Sequence, residues 1–400
     1  MFVKASFLPL ALCAAAICSD IRAIVPKNGV APVGPYSPGV FAGDYLYVSG
    51  QGAKTPDGKM PSSFEEQARQ TLENLKTVVE AAGLAMRNVV YTQVYLTDMT
   101  NFRAMNRVYA RYFPDTPPAR AVLGVASLPG GTPIEINAVA IRNAAEKKAV
   151  STGAFGGDEP LSPGIMTHDR LFISALRNNA ATPEEQAEKA LDAMQSVVEA
   201  AGLKMANVVF VNPYLTGKVP MKVMNTSYAR RFEFGNTPAR ATIKVASLPE
   251  NAEIEFTGVA VRDIHLRRAI RPKNMPPSPT ASPCVFAGDT LYCSAKSGFI
   301  PGQNGGVFTP LIDLQIRQTM RNLLDNLEEA GLTFNDVVSS NVYLDNLGEF
   351  ETMNKLYAKY FSAVFPARTT IQQVASVART QSAGETYPEI EQISLIAVRR

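Results

Sequence analysis

The sequence repeats itself three times, with a period of about 120 to 130 residues. The segment Ala81-Ala82-Gly83-Leu84 returns at 200–203 unchanged and at 329–332 with one substitution. The pattern Tyr-Ala-x-x-Phe likewise occurs at 109–113, 228–232 and 357–361. A repeat of this length is a whole domain, since solenoid units have only about 20 to 50 residues. The repeats therefore predict three tandem domains, at residues 24–143, 150–263 and 276–400.

Each repeat has the pattern of an α+β domain. In the first, an apolar and aromatic stretch around Gly43-Asp44 predicts a β-hairpin. Ser62 or Ser63, followed by a glutamate three residues later, predicts a helix start, and Gly83 predicts its end. The order ββαβαββ predicts a mainly antiparallel sheet with two helices on one face. Pro213, within a β run of the second repeat, predicts a bulge or an edge there.

An arginine and a glutamate recur in the last two predicted strands of every repeat. Arginine binds carboxylates in bidentate fashion, and glutamate can act as a general acid or base. The spacing is the same in the first two repeats, whereas a longer loop separates the two residues in the third. The candidate pairs are Arg120 with Glu135, Arg240 with Glu255, and Arg368 with Glu391.

The first 23 residues have the features of a signal peptide. A basic start at Lys4 precedes an apolar run at 5–17, and Ala23 offers a small residue for cleavage. The run is too short to span a bilayer comfortably. We therefore expect an exported protein, periplasmic or secreted, without membrane contact after cleavage; a buried N-terminal helix is the alternative. The net charge of +3 gives no indication of nucleic-acid binding.

Cleavage would leave two cysteines and two histidines, too few for a zinc site of the usual ligand count, so we expect no metal. If Gly288-Asp289 is a two-residue turn, Cys284 and Cys293 lie directly opposite each other on a hairpin. Opposed strand positions can lie within disulfide range, and export would supply an oxidising compartment. The alternative is a pair of packed thiols.

Four motifs of the first repeat are distinctive: Gly34-Pro35-Tyr36-Ser37-Pro38, Val48-Ser49-Gly50-Gln51, Pro118-Ala119-Arg120 and Ile134-Glu135-Ile136-Asn137-Ala138-Val139-Ala140. Together they resemble the RidA/YjgF family of imine deaminases, and the other two repeats resemble it more distantly. The resemblance implies a chorismate-mutase-like fold that assembles as a homotrimer, with ligand clefts between subunits. Three copies in one chain would then form an intramolecular pseudo-trimer, monomeric in solution.

The resemblance also implies a reaction and the residues that perform it. Family members hydrolyse reactive 2-imino acids, such as 2-iminobutanoate and 2-iminopropanoate, to 2-keto acids and ammonia, and no cofactor is implied. Arg120 would bind the substrate carboxylate, Glu135 would position or activate the attacking water, and Tyr36 would form a hydrogen bond near the imine. The backbone around Gly50 and Val122 would complete the cleft.

The other two repeats depart from this pattern at the positions of Tyr36 and Gln51. These positions carry Leu161 and Leu176 in the second repeat, and Ala281 and Lys296 in the third. We therefore predict imine hydrolysis mainly in the cleft of the first domain, with different carboxylates in the other clefts. The alternative is a non-catalytic binding protein for small carboxylates that uses the same arginine-lined clefts.

Overall fold

A computed structural model describes residues 20–400, except 154–158, 177–179, 274, 303–305 and 376–386. Most of the expected signal peptide, residues 1–23, lies outside this range. The described residues form three successive units of the expected α+β type, each a sheet with two helices packed on one face. Within this part of the chain no helix is both long and apolar enough to cross a membrane.

The helices and strands follow the same order in all three units. The first contains β1 (Arg22–Ile24), β2 (Gly39–Ala42), β3 (Tyr45–Gly52), α1 (Phe64–Ala81), β4 (Val89–Leu96), α2 (Phe102–Ala110), β5 (Ala119–Gly124) and β6 (Ile134–Ile141). The second contains β7 (Lys148–Val150), β8 (Gly164–Met166), β9 (Arg170–Ile173), α3 (Pro183–Ala200), β10 (Val208–Leu215), α4 (Met221–Ala229), β11 (Ala239–Arg240), β12 (Ile243–Lys244) and β13 (Ile254–Val261). The third contains β14 (Arg267–Ile270), β15 (Cys284–Ala287), β16 (Thr290–Lys296), α5 (Ile312–Glu329), β17 (Val337–Leu344), α6 (Phe350–Tyr357), β18 (Ala367–Gln372) and β19 (Glu391–Val398).

The three sheets share one strand order. The first runs β1-β2-β3-β6-β4-β5, and its neighbours are antiparallel except for β4 and β5, which are parallel. The third runs β14-β15-β16-β19-β17-β18 in the same way. The mainly antiparallel sheet is therefore confirmed. In every unit the strand that carries the recurring arginine, β5, β11 or β18, lies at one edge of the sheet.

Pro213 has a different effect from the one predicted. It lies within β10, an inner strand that pairs with β13 on one side and with β11 and β12 on the other. Since proline has no N–H to donate, the neighbouring strand is interrupted between β11 and β12. The Asn212 side chain donates a hydrogen bond to the Ala241 carbonyl at the break, 3.0 Å away. The expectation of a bulge or an edge at Pro213 was wrong.

The long first helices begin where the sequence predicts. Ser63 caps α1 in a capping box with Glu66, and Thr182 caps α3 in a capping box with Glu185. The apolar stripe of each helix is buried against its sheet. Gly83, with φ of 79°, ends α1 in the left-handed conformation that glycine adopts most readily.

Each unit begins earlier than predicted. The strands β1, β7 and β14 start at Arg22, Lys148 and Arg267, and each pairs with the second strand of its own unit. The segments between the predicted domain ranges therefore contain all or part of the strands β7 and β14. Strands of three or four residues are too short for their periodicity to be recognised. Cleavage after Ala23 would remove two of the three residues of β1, so the structure does not favour that position.

The three units contact one another in a closed cycle. The backbone N–H groups of Arg120, Arg240 and Arg368 donate to the hydroxyls of Ser174, Ser294 and Ser49 respectively, each at 2.8 Å. The sheet faces turned away from the helices share one apolar core, in which Tyr95, Tyr214 and Tyr343 occupy equivalent positions. These contacts support the expected pseudo-trimer.

The full chain is expected to be monomeric in solution. Its three equivalent interfaces are satisfied between units of one chain, which closes the symmetry internally. Light scattering coupled to size-exclusion chromatography should give the mass of a single chain. A particle of about three chains would contradict this expectation.

Cys284 and Cys293 lie directly opposite each other in the β15–β16 hairpin, on either side of a two-residue turn at Gly288-Asp289. A disulfide joins them, with the Cα atoms 4.0 Å apart. Both residues are buried among the apolar side chains between the third sheet and its helices. The predicted pairing is confirmed, and the alternative of two packed thiols is not observed.

Candidate functional site

The structure brings Tyr36 and Glu135 together with Arg368, and not with Arg120. The cleft that they line lies between the first and third units and is called the 1–3 cleft; its lining includes Tyr36, Gly50, Gln51, Glu135, Phe350, Arg368 and Thr370. The predicted grouping with Arg120 was wrong because β5 is an edge strand. It carries Arg120 to the boundary with the second unit, and β18 carries Arg368 to the first unit.

Arg368 supplies a buried positive charge at this cleft. It is 4% exposed, and its guanidinium donates to the Asn354 Oδ1 at 2.8 Å. The guanidinium carbon lies 5.2 Å from the centre of the Tyr36 ring. Burial lowers the pKa of Arg368 from its usual value, but arginine stays protonated in proteins. Among the described residues no carboxylate lies within ion-pairing distance of Arg368, so its charge can attract an anionic ligand.

Glu135 places a buried carboxyl group in the 1–3 cleft. It projects from β6 and is 7% exposed. Burial raises the pKa of Glu135 to about 8, against the opposing effect of Arg368. A Cβ atom at position 50 would collide with the Glu135 carboxylate, so this geometry requires Gly50. A carboxyl group with such a pKa can both accept and return a proton near neutral pH.

Tyr36 provides a neutral hydroxyl near the other two groups. Its oxygen accepts a hydrogen bond from the Val33 N–H at 3.2 Å, which leaves the hydroxyl hydrogen able to point towards a ligand. Burial raises the pKa of Tyr36, so the phenol stays protonated. The cavity has a volume of about 90 Å³, and Val30, Val33 and Phe350 give it an apolar wall.

Arg120 lies in the equivalent cleft between the first and second units, the 1–2 cleft, and is already paired there. Its guanidinium forms an ion pair with Glu159 at 3.4 Å, and the Arg120 side chain is 0% exposed. Glu159 occupies the position of Gly34, because the carbonyl of each accepts the N–H of the residue two positions later. In the 1–2 cleft, the Glu159 carboxylate thus lies at the position where Arg368 of the 1–3 cleft would bind the carboxylate of a ligand.

The remaining groups of the 1–2 cleft also differ from those of the 1–3 cleft. Ala175 stands at the position of Gly50, where a methyl group would exclude a glutamate oriented like Glu135. Glu255 does occupy the strand position of Glu135 and is 1% exposed. Val122 is buried in the core on the helix side of the first sheet, away from Tyr36.

The third cleft, between the second and third units, is called the 2–3 cleft, and Glu391 does not line it. Strand register places Glu135, Glu255 and Gln392 opposite the equivalent residues Tyr95, Tyr214 and Tyr343. Adjacent strand residues point to opposite faces of the sheet, so Glu391 faces the helices. Its carboxylate accepts a hydrogen bond from the Thr319 hydroxyl of α5. The predicted match of Glu391 with Glu135 was therefore wrong by one residue.

Two further features of the clefts were missed in the sequence, although it contains signals for both. Each recurring arginine donates at 2.8 Å to an asparagine of the second helix, and a Met-Asn pair recurs at that place in every repeat. The asparagines are Asn106, Asn225 and Asn354. The second feature is Gln392, which matches Glu135 when the last strands are aligned from their apolar C-terminal ends.

Comparisons with known proteins identify each unit as a copy of one type of domain. A family model described as Endoribonuclease L-PSP matches residues 26–142, 159–262 and 274–385. The RutC family protein PH0854 of Pyrococcus horikoshii is 41% identical over 121 residues, which are 30% of this chain and 96% of that protein. The 2-iminobutanoate/2-iminopropanoate deaminase of Escherichia coli K12 is 40% identical over 125 residues, 30% of this chain and 98% of that protein. The crystal structure of the YjgF gene product from E. coli matches with a TM-score of 0.30 and 40% identity, covering 30% of this chain and 99% of that structure.

Proposed function

The chain belongs to the endoribonuclease L-PSP family, and its relatives include the RidA/YjgF imine deaminases that its first repeat resembles. On this premise we propose that its 1–3 cleft hydrolyses small 2-imino acids. The products are the 2-keto acid and ammonia. The observation that carries the proposal is the placement of the Arg368 charge and the Glu135 carboxyl in one buried cleft. The named activity of the E. coli relative supports 2-iminobutanoate and 2-iminopropanoate as substrates.

The three groups divide the reaction among them. Arg368 binds the substrate carboxylate in bidentate fashion and so orients the imine carbon. Glu135 removes a proton from the attacking water, and the resulting oxygen–carbon bond gives a tetrahedral carbinolamine. In this addition Glu135 returns the proton to the nitrogen, which takes the electron pair of the C=N bond. Glu135 then transfers the proton of the new hydroxyl to the nitrogen, so that the keto group forms, the carbon–nitrogen bond breaks and ammonia leaves. Tyr36 donates a hydrogen bond near the reacting centre and orients it.

The shape of the cleft favours a short substrate side chain. The volume of about 90 Å³ and the apolar wall suit one or two carbon atoms beyond the imine carbon. Val30, Val33 and Phe350 would contact this side chain, whereas the cations of the described lining are Arg368 and Lys54. Three- and four-carbon 2-imino acids therefore fit the cleft best.

We also propose that the protein acts outside the cytoplasm, in the periplasm or after secretion. The proposal rests on the basic and apolar start of the sequence and on the Cys284–Cys293 disulfide, which is typical of oxidising compartments. Cell fractionation of a host that expresses the full chain tests it, with N-terminal sequencing of the exported product to locate the cleavage site.

A coupled assay tests the proposed activity. An amino-acid dehydratase generates 2-iminobutanoate in the assay, and formation of 2-ketobutanoate is followed with and without the full chain. We expect the protein to accelerate imine decay above the spontaneous rate. If the folded protein binds butanoate but does not accelerate decay, the non-catalytic carboxylate-binding function replaces the hydrolytic one.

A further inference from the structure

We propose that the 2–3 cleft is a binding site for small dicarboxylates that performs no imine hydrolysis. The cleft lies between the second and third units, and among the described residues its charged lining consists of Arg240, Lys244, Lys296 and Glu389. Its volume is about 490 Å³, compared with about 90 Å³ for the 1–3 cleft. It therefore has room for a longer ligand, and its described lining holds three cations, compared with Arg368 and Lys54 in the 1–3 cleft.

Arg240 is positioned as Arg368 is in the 1–3 cleft. Its N–H donates to the Ser294 hydroxyl at 2.8 Å, and its guanidinium donates to the Asn225 Oδ1 at 2.8 Å. The equivalent bonds of Arg368 go to Ser49 and Asn354. Because the supporting contacts are the same, Arg240 presents its guanidinium for one carboxylate group in the same way.

Lys296 adds a second cation at a position that is neutral in the 1–3 cleft. It lies two residues after Ser294, as Gln51 lies two residues after Ser49. Among the described residues Lys296 has no hydrogen-bond or ion-pair partner, although it is partly buried and lines the cleft. Burial lowers the pKa of Lys296 to about 8, so an anion bound beside it would stabilise its protonated form.

The charges of the cleft favour a ligand with two negative groups. Burial raises the pKa of Glu389 to about 6, against the opposing effect of the nearby Lys244. These two opposite charges offset each other near neutral pH. Arg240 and Lys296 then leave two positive charges, which two carboxylate groups on one short chain would neutralise.

The groups needed for hydrolysis are replaced in this cleft. Gln392 stands at the position of Glu135, and its side-chain amide donates to the Thr242 carbonyl at 2.9 Å and to the Gln373 side chain at 3.1 Å. An amide cannot accept a proton from water as a carboxylate does. Ala281, at the position of Tyr36, provides no hydroxyl. The ligand would therefore be bound and released unchanged.

Titration calorimetry of the full chain with glutarate, and with butanoate as the monoanionic control, tests the proposal. We expect glutarate to bind at least about tenfold more tightly than butanoate, with proton uptake at pH 8 as Lys296 becomes protonated. Lys296→Gln introduces the residue of the 1–3 cleft and should reduce the preference to less than about threefold. Lys296→Arg keeps the charge and should retain the preference.

Arg368→Met serves as the matched control, because it changes the equivalent arginine of the 1–3 cleft and should leave glutarate affinity unchanged. Arg240→Met should lower that affinity at least about tenfold. Equal affinities for glutarate and butanoate would overturn the proposal. A preference for glutarate over butanoate that persists in Lys296→Gln would also overturn it. The same holds for a preference that is lost in Arg368→Met but kept in Arg240→Met. The outcome is independent of imine hydrolysis, because no catalysis is measured.

Discussion

Glu135→Gln is expected to lower kcat/KM for 2-iminobutanoate hydrolysis by about 100- to 10,000-fold, the usual contribution of a general acid or base. Glutamine keeps the size of the side chain but cannot accept the proton of the attacking water. Glu255→Gln is the matched control, since Glu255 has the same strand position in the 1–2 cleft. It should change kcat/KM by less than about threefold. Similar losses in both variants would contradict the assignment of catalysis to Glu135.

The same role determines how the rate depends on pH. Burial raises the pKa of Glu135 to about 8, and only its ionised form can accept a proton from water. As the pH falls below about 8, a growing fraction of Glu135 is protonated, and kcat/KM should approach a tenfold decrease per pH unit. The spontaneous rate is subtracted at each pH. A pH-independent enzymatic rate between pH 6 and 9 would contradict Glu135 as the base.

The parts of the fold that depend on local sequence were predictable. The cap at Ser63, the glycine after α1 and the two-residue turn between Cys284 and Cys293 each follow from the chemistry of a few neighbouring residues. The strands β1, β7 and β14 were not predictable, because three or four residues acquire an extended structure only by pairing with the rest of the sheet.

The composition of the 1–3 cleft could not be obtained from one repeat alone. Arg120 and Glu135 belong to the same repeat and the same sheet, which made their grouping the natural interpretation. The deciding fact is that β5 and β18 are edge strands, each in contact with the next unit. Sequence reveals that an arginine recurs, but only the arrangement of the units shows that Arg368 meets Tyr36.

Single substitutions at equivalent positions explain how three copies of one scaffold came to differ. Glu159 at the position of Gly34 introduces a carboxylate that pairs with Arg120 in the 1–2 cleft. Lys296 at the position of Gln51 adds a cation to the 2–3 cleft. The backbone contacts of the three arginines are the same, so the differences reside in the side chains that face each guanidinium.

Arg368→Met is expected to lower kcat/KM for 2-iminobutanoate by about 10- to 150-fold, because a hydrogen bond between charged groups contributes about 1.5–3 kcal/mol. Methionine keeps the apolar stem of the side chain and removes the guanidinium. Arg120 and Arg240 provide matched controls, since each has the same serine and asparagine partners in its own cleft. Arg120→Met and Arg240→Met should change kcat/KM by less than about threefold.

The comparison requires equal folded fractions, because all three arginines also contribute to contacts between units. Thermal unfolding followed by circular dichroism measures how much each substitution destabilises the chain, and kinetics are then compared well below the lowest transition. A large loss in Arg368→Met alone would tie catalysis to the 1–3 cleft. A loss of the same size in Arg120→Met would mean that the guanidinium paired with Glu159 also takes part, and would contradict hydrolysis at a single cleft.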